Sequence, residues 1–400
     1  MRFSRVFTII VAAFALLAVG LWKIGPDWRT LLSNPPMNTD VLFWNQAQRD
    51  AGFRMLDRLP VLVKARRISA NSAVREFASG EPFAFDFDSD QYFEQNRHSG
   101  VVILHNGALR YEKYGLDFDA NGRWTSFSVG KSFTSTLVGA AIKDGYIKSL
   151  NDPVTDYIPA LSTSPYKDVS IRQLLTMTSG VAWNEDYDDP ASDVALFNKH
   201  KAEDGLPTIV SYMRARSRAH PAGEVWHYST GETNLIGVLV SEATGKNLSD
   251  YLTEKIWGPY GMEADATWLL GKDGKEISGC CIQATTRDFA RFGQFFLDDA
   301  IVNGERVVPD GWVTQATSAQ VTTTIPVRTR YGFQWWVYED GAYAASGIFG
   351  QGIFIDPARN LVIAHNSSWQ SALGDSTGEV RAREEFFRAV QATIDREGQS

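Results

Sequence analysis

The sequence predicts an α+β fold in which an antiparallel sheet is flanked by helices and interrupted by a mostly helical inserted region. Strand-like segments lie early, at 100–115, and late, between 331 and 368, whereas the residues between them show mainly helical periodicity. Short turns join the strand-like segments, and parallel neighbours would need long crossover connections. We therefore expect the two ends of the chain to build one antiparallel sheet around a helical region.

The N-terminal segment, residues 1–23, is predicted to be a signal peptide or a membrane anchor. Arg2 and Arg5 precede an uncharged apolar run at 6–22, which reaches the lower end of the roughly 17–25 residues of a membrane span. Basic residues before an apolar run are also typical of a secretory signal. A buried helix of the folded domain is the third interpretation. The first two place the body outside the cytoplasm, either anchored and facing the periplasm or exterior, or exported.

The rest of the chain divides into a leader packed on the core, an α/β sheet domain and a helical region. In the sheet domain, Asn106 and Gly107 join two β-rich arms, which is the strongest short signal for a hairpin. A charged amphipathic helix starting near Thr377 closes the chain. The expected boundaries are 24–99 for the leader, 100–149 and 326–400 for the sheet domain, and 150–325 for the helical region.

The composition excludes one class of partner. The net charge is −8 and the pI about 5.4, whereas nucleic-acid binding calls for a basic face. Cys280 and Cys281 are adjacent, and neighbouring cysteines rarely close a disulfide, so buried thiols are expected. No His/Cys cluster has metal-ligand spacing, and the chemistry discussed below calls for no metal or cofactor.

Ser128 and Lys131 form a candidate catalytic pair. They are three residues apart where an extended segment leads into a long helical pattern, so they share one helix face. A serine hydroxyl becomes a good nucleophile only when a neighbour takes its proton. A neutral lysine can do this if burial and the positive end of a helix lower its pKa from about 10.4. The same helix end offers free backbone N–H groups to a developing oxyanion.

The spacing alone is a weak signal. Ser164 and Lys167 repeat it in a short loop, because Ser170 already begins the next helix. An alternative interpretation makes Ser128 a helix N-cap and Lys131 a solvated side chain. The catalytic interpretation therefore needs further polar groups from elsewhere in the chain.

Two other segments supply such groups. Tyr228 follows an aromatic run at a turn before a helix, and it could carry a proton to a leaving group, although a core aromatic is the alternative. Residues 345–347, Ala-Ser-Gly, lie on a late strand whose glycine lets a ligand approach the backbone.

These three segments, in this order, resemble the serine β-lactamase-like superfamily, and most of all the class C-related serine hydrolases of the 6-aminohexanoate-dimer hydrolase type. The resemblance covers roughly residue 40 to the C-terminus. Further matching segments are LLTMTSG at 174–180, ATTRDFARFG at 284–293, VVPDGWV at 307–313 and YGFQWWV at 331–337.

The resemblance implies a role for each motif residue. Ser128 would be the acylated nucleophile, Lys131 its base partner, and Tyr228 the tyrosine of the second motif. The backbone N–H groups of Ser128 and Ile348 would form the oxyanion hole. Ser346 and Gly347 would belong to the third motif and contact substrate.

Two positions depart from the family pattern. Thr230 stands where the second motif usually has asparagine, which puts that substrate contact in doubt. Ala345 stands where penicillin-recognising members carry a cation that helps to hold a substrate carboxylate. The second departure favours an amide or ester hydrolase with a different substrate anchor.

Other substrate contacts are suggested by aromatic and acidic residues. Five of the twelve residues at 182–193 are acidic, so this segment either receives an amine-bearing substrate or is a solvated loop. The resemblance makes Tyr187 in that segment a pocket residue. Trp335 and Trp336 alternate on a strand, so one faces the core and the other could face the site, and Trp336 is included as a substrate-binding candidate.

The predicted function is hydrolysis of a small-molecule amide or ester through a Ser128-bound acyl-enzyme. A Ser-His-Asp mechanism is disfavoured because no serine has the G-x-S-x-G pattern, and His227 reads as a structural neighbour of Tyr228. Two alternatives stay open at this point: a penicillin-binding carboxypeptidase or β-lactamase, and a catalytically silent, membrane-anchored binding protein of the same fold. The oligomeric state is left open.

Overall fold

The computed structural model describes residues 11, 25–36, 40–59, 63–71, 73–326 and 328–399. The predicted signal peptide or anchor at 1–23 lies almost wholly outside these residues. Among the residues described, no helix combines the length and the apolar character that crossing a membrane requires.

The strands form two sheets of unequal size and a small hairpin. In chain order they are β1 Lys64–Ile68, β2 Ala78–Ser79, β3 His98–His105, β4 Ala108–Tyr114, β5 Trp124–Thr125, β6 Ala266–Leu270, β7 Ile282–Ala284, β8 Ile301–Val302, β9 Glu305–Arg306, β10 Val321–Thr322, β11 Arg330–Tyr331, β12 Trp336–Val337, β13 Tyr343–Gly347, β14 Gln351–Asp356 and β15 Leu361–Ser367. The large sheet has the order β10-β11-β12-β13-β14-β15-β3-β4-β2, and the small one β1-β6-β7-β5.

The helices lie mainly between the early and late strands, as the α+β prediction requires. They are α1 Pro26–Ser33, α2 Gln46–Gly52, α3 Ser89–Gln95, α4 Gly130–Lys143, α5 Ile171–Leu175, α6 Asp193–Leu196, α7 Thr208–Arg214, α8 Thr230–Thr244, α9 Leu248–Leu252, α10 Gly258–Tyr260, α11 Thr286–Leu297, α12 Trp312–Thr317 and α13 Glu379–Glu397. The α+β fold class is confirmed.

Some details differ from the sequence-based expectation. The large sheet is antiparallel except at its edge, where β2 pairs in parallel with β4, because the long connection between them contains α3 and β3. Strand β3 begins at His98 and so crosses the predicted boundary between residues 99 and 100. The leader also contributes β1, which pairs with β6 of the middle region and ties the two together.

The large sheet is covered on both faces. Successive side chains of a strand point to opposite faces, and β3 shows this: Val102 and Leu104 join the main core, whereas Val101 and Ile103 join a second cluster. Helix α11 packs on the main-core face, and α13 supplies the second cluster. The sheet is therefore the central layer of three.

Helix α4 runs through the main core. Its residues from Gly130 to Ala141 are all buried, and Phe133 stacks on Phe292 of α11 with ring centroids 3.6 Å apart. Such a helix has no solvated face, so the position of its first turn is set by packing on every side.

The two cysteines overturn one expectation. Cys280 and Cys281 form a disulfide, and both are half-buried rather than buried thiols. The backbone of Cys281 has a φ of 78°, in the left-handed region. The segment is held by Trp268, whose indole N–H donates to the Cys280 carbonyl at 2.8 Å.

Candidate active site

Ser128 lies where the small sheet ends and α4 begins. It is the middle residue of a 3-10 turn, Phe127–Val129, which leads directly into the helix. The turn is fixed to β7, because Ser126 N–H donates to the Ile282 carbonyl at 2.8 Å and the Ser126 hydroxyl accepts from Ile282 N–H at 2.9 Å. Ser128 makes no capping hydrogen bond to the helix. The N-cap interpretation of this serine is therefore wrong.

Lys131 is the second residue of α4, and its amine lies beside Ser128. The side chain is buried, with 1% of its surface exposed, so the interpretation as a solvated lysine is also wrong. Lys131 Nζ lies 3.1 Å from Ser128 Oγ, 2.9 Å from Thr230 Oγ1 and 2.7 Å from the Gly279 carbonyl oxygen. The second pair, Ser164 and Lys167, differs sharply, because Ser164 bonds the Leu161 carbonyl and Lys167 is exposed.

Burial lowers the pKa of Lys131 to about 8, and the nearby Glu185 carboxylate opposes this by favouring the ammonium. The amine can therefore exist in its neutral form at a pH close to neutrality. A charged lysine that is buried without a carboxylate in direct contact is costly in free energy, which favours the neutral amine. The geometry and the pKa together allow Lys131 to exchange a proton with Ser128.

Thr230 and Glu185 extend the contacts of the lysine. The Thr230 hydroxyl accepts from Lys131 and donates to Glu185, and Thr230 N–H at the start of α8 donates to the other Glu185 oxygen at 2.9 Å. Trp183 and Tyr187 also donate to this carboxylate. From the sequence, Thr230 was predicted only as a replacement for the usual asparagine, and Glu185 was not predicted as a site residue. The one signal that could have found Glu185 is its place in the acidic segment.

Tyr228 is the third predicted catalytic residue, and it lies close to both Ser128 and Lys131. Lys131 Nζ is 5.2 Å from the centroid of its ring, which stacks on Trp336 with centroids 5.8 Å apart. Burial raises the pKa of Tyr228, the Glu185 carboxylate raises it further, and hydrogen bonding with Ser128 works in the opposite direction. The phenol is therefore protonated across the working pH range and can act as a proton donor.

The end of β13 packs against the serine turn. A methyl group on Gly347 would lie 2.6 Å from the Ser126 carbonyl oxygen and 3.1 Å from Ser128 N, so glycine permits this approach. Ser128 belongs to a first helical turn, whose N–H groups have no acceptor within the turn. The next residue after Gly347, Ile348, begins the turn that leads into β14. The two backbone segments therefore meet at the serine.

These groups open onto a cavity of about 240 Å³. Five aromatic residues line this cavity. Trp336 rather than Trp335 faces it, since Trp335 is fully buried in the main core. Lys131 lies behind Ser128 and does not line the cavity. Of the residues predicted from the sequence, those on the wall are Ser128, Tyr187, Tyr228, Trp336, Ser346, Gly347 and Ile348.

Other sequence candidates lie away from the cavity. Asp186 and Asp188 of the acidic segment are exposed and do not line it. Ala345 is 1% exposed and packs in the main core. None of the six histidines, all of which are described, lies on the cavity wall. His227 instead contacts the Trp183 carbonyl at 2.6 Å.

The family of the chain is identified by its match to a protein-family model. The model described as Beta-lactamase matches residues 89–385, a range that contains Ser128, Tyr228 and the end of β13. The chain belongs to the β-lactamase family.

Proteins similar to this chain include one named as a hydrolase and a solved structure of the same fold. The 6-aminohexanoate-dimer hydrolase of Paenarthrobacter ureafaciens is 30% identical over 346 residues, which cover 82% of this chain and 87% of that protein. A solved Bacillus anthracis protein, provisionally assigned as a 6-aminohexanoate-dimer hydrolase, has a TM-score of 0.73 at 24% identity and covers 86% of this chain and 94% of its own.

The same fold is found in an esterase. A family VIII carboxylesterase structure has a TM-score of 0.58 at 17% identity, covering 75% of this chain and 95% of that one. At this identity the likeness concerns the β-lactamase fold alone. The resemblance noted from the sequence motifs is confirmed by the family model and by the Paenarthrobacter relative.

Proposed function

We propose that this protein is a serine hydrolase that cleaves an amide or ester through an acyl-enzyme formed on Ser128. The observation that carries the proposal is the buried Lys131 amine, 3.1 Å from Ser128 Oγ at the inner end of the aromatic cavity. The hydrolase names of the relatives support the reaction class.

The hydrogen bonds of Lys131 orient its lone pair. A neutral amine has two N–H donors and one lone pair. The Gly279 carbonyl can only accept, and the Thr230 hydroxyl has already committed its hydrogen to Glu185, so these two groups take the two N–H donors. The lone pair is then left for the Ser128 hydroxyl. Thr230 and Glu185 act in this scheme as positioning residues.

The reaction follows from this arrangement. Lys131 takes the Ser128 proton as Oγ forms a bond to the substrate carbonyl carbon, and the backbone N–H groups of Ser128 and Ile348 hold the oxyanion. The proton then passes through Tyr228 to the leaving amine or alkoxide, and the carbonyl–leaving-group bond breaks. Lys131 then takes a proton from water as the water oxygen bonds to the acyl carbon, the Ser128 ester bond breaks, and that proton passes to Ser128 Oγ, which releases the carboxylic acid product.

The test is a comparison of Ser128→Ala with Ser164→Ala, which alters the serine of the second, non-catalytic pair. With 4-nitrophenyl butyrate as substrate and a fluorophosphonate as probe, we expect Ser128→Ala to lose both turnover and the covalent adduct seen by intact mass. Ser164→Ala should keep both. Near wild-type turnover by Ser128→Ala would refute the proposal.

The same assays, extended to nitrocefin and to amides, separate the two alternatives raised by the sequence. Turnover of nitrocefin at a rate matching that of the esters would favour a β-lactamase. A wild-type protein that gains no adduct at Ser128 and hydrolyses no ester or amide would be the silent binding protein.

A further inference from the structure

The cavity carries two arginines that the proposed hydrolysis does not use. Arg328 lies in the loop between β10 and β11, and Arg383 lies on α13. Both are on the wall of the cavity that contains Ser128. A positive charge in an aromatic cavity needs a compensating partner, because burying an unpaired charge is costly.

Arg383 has its partner within the protein. Its guanidinium donates to the Glu384 carboxylate at 2.8 Å, and the two side chains are 3% and 6% exposed. Its guanidinium also lies 5.4 Å from the centroid of the Trp369 ring. The charge of Arg383 is therefore balanced before any substrate arrives.

Arg328 differs from Arg383 in this respect. Among the residues that the structure describes, its side chain makes no hydrogen bond and no ion pair, and its Nε is buried without a partner. Its guanidinium lies 5.0 Å from the centroid of the Trp336 ring. The carboxylates of Glu384 and the exposed Asp375 are near enough to favour the Arg328 cation, but neither forms an ion pair or a hydrogen bond with it. Arginine stays protonated at any working pH, so a cation persists here.

The carboxylate nearest the catalytic pair, Glu185, is poorly placed to receive an amine from the substrate. Glu185 is the acidic-segment residue that reaches the cavity, and its two oxygens already accept from Trp183, Tyr187 and Thr230. An amine would compete with these donors. A carboxylate would instead meet an open guanidinium, which binds planar oxyanions through two parallel hydrogen bonds.

We propose that the substrate of this hydrolase carries a carboxylate that Arg328 binds, joined through an apolar segment to the amide or ester cleaved at Ser128. Trp226, Tyr228 and Trp336 line the cavity and supply an apolar surface for the joining segment. The inference rests on the proposed function, since it names the substrate class of that same site.

The first experiment compares two substrates that differ in one charge. They are mono-4-nitrophenyl adipate and the 4-nitrophenyl ester of adipic acid monoamide, where a carboxamide replaces the carboxylate. We expect the wild-type kcat/KM to favour the acid. Arg328→Gln should lower the acid-to-amide ratio by about tenfold to a hundredfold, because hydrogen bonds to charged groups are strong when buried.

Control variants separate an effect of the Arg328 charge on substrate preference from an effect on folding. Arg328→Lys keeps a cation and should retain most of the ratio. Arg381→Gln removes an exposed arginine of α13 and should leave the ratio unchanged. Thermal unfolding of each variant verifies that it is folded. Arg328→Glu should reverse the preference toward 4-nitrophenyl 6-aminohexanoate.

A second pair of substrates tests the leaving-group side. 4-Carboxyphenyl butyrate and 4-carbamoylphenyl butyrate place the same change on the alcohol. An Arg328-dependent preference for the acid in either pair supports the inference. If both pairs show no preference, or a preference that Arg328→Gln leaves intact, the inference is wrong. Hydrolysis of the neutral esters with an adduct on Ser128 would still support the proposed function in that case.

Discussion

At the scale of single residues, the chemistry depends on how one amine is surrounded. Lys131 is buried, so its pKa falls to about 8, and its two possible N–H donors point at the Gly279 carbonyl and Thr230. The neutral amine is the active form in the proposed mechanism. The pH dependence of the reaction is therefore a direct measure of this environment.

We expect kcat/KM to rise with pH and to level off above about 8, because the lysine must lose its proton before it can accept one from Ser128. Lys131→Arg stays protonated and should lose activity by at least about a hundredfold, the lower range for a general base. A pH–rate profile with 4-nitrophenyl butyrate measures both, and Lys167→Arg is the matched control. Activity retained by Lys131→Arg would exclude lysine as the base.

Glu185→Gln should shift the rising limb of this profile to lower pH. The Glu185 carboxylate favours the ammonium form of Lys131, so removing its charge lowers the pKa of the lysine further. Asp186→Asn, which removes an exposed neighbouring charge, is the control and should leave the midpoint in place. A shift to higher pH would contradict the proposed arrangement.

At the scale of elements, the site is the junction of a helix start and a strand end. The 3-10 turn before α4 is bonded to β7, and β13 approaches the same turn through Gly347. The oxyanion site of the proposed mechanism uses one N–H from each side. Its geometry therefore depends on how closely the two elements approach.

Gly347→Ala should reduce turnover by at least about tenfold, since displacing even one oxyanion donor is costly to catalysis. Its new methyl group would stand 2.6 Å from the Ser126 carbonyl oxygen, so β13 has to move away from the turn. Gly398→Ala has its nearest atom at 3.7 Å and is the control. Steady-state kinetics and circular dichroism of both variants test this prediction. Unchanged turnover in Gly347→Ala would mean that the oxyanion site does not lie between β13 and the serine turn.

At the scale of the whole molecule, the large sheet is held between two helical layers. The main core on one face contains α4 and α11, and the cluster on the other face is formed with α13. The last helix of the chain is therefore part of the structural frame that also presents Arg383 to the cavity.

Phe387→Ala should destabilise the protein by about 3–5 kcal/mol, the usual cost of removing a buried aromatic ring. Phe387 is 3% exposed, and its ring stacks on Phe354 of β14 with centroids 4.3 Å apart. Glu385→Ala, on the exposed side of α13, should change stability by less than about 0.5 kcal/mol. Urea denaturation measures both, and a small effect for Phe387→Ala would mean that α13 contributes little to the fold.

Much of the fold was predictable because its signals are local. The hairpin at Asn106 and Gly107, the strand pair around residues 343–356 and the C-terminal helix all follow from periodicity and turn residues. The small sheet was missed, because its strands are short and pair β1 with β6 across nearly two hundred residues. The disulfide between Cys280 and Cys281 was missed for another reason: adjacent cysteines rarely pair, so the sequence favoured free thiols.

The sequence by itself determined that Ser128 and Lys131 share one helix face, because residues three apart at a helix start are neighbours. It also determined the family, through the order of its motifs. Only the tertiary structure decided what surrounds that pair. Thr230 and Gly279 contact the amine, and Glu185 bonds to Thr230. Arg328 lines the cavity that opens at Ser128, although it lies far from Ser128 in the sequence. Such contacts depend on how helices and sheets pack, and no local pattern records that packing.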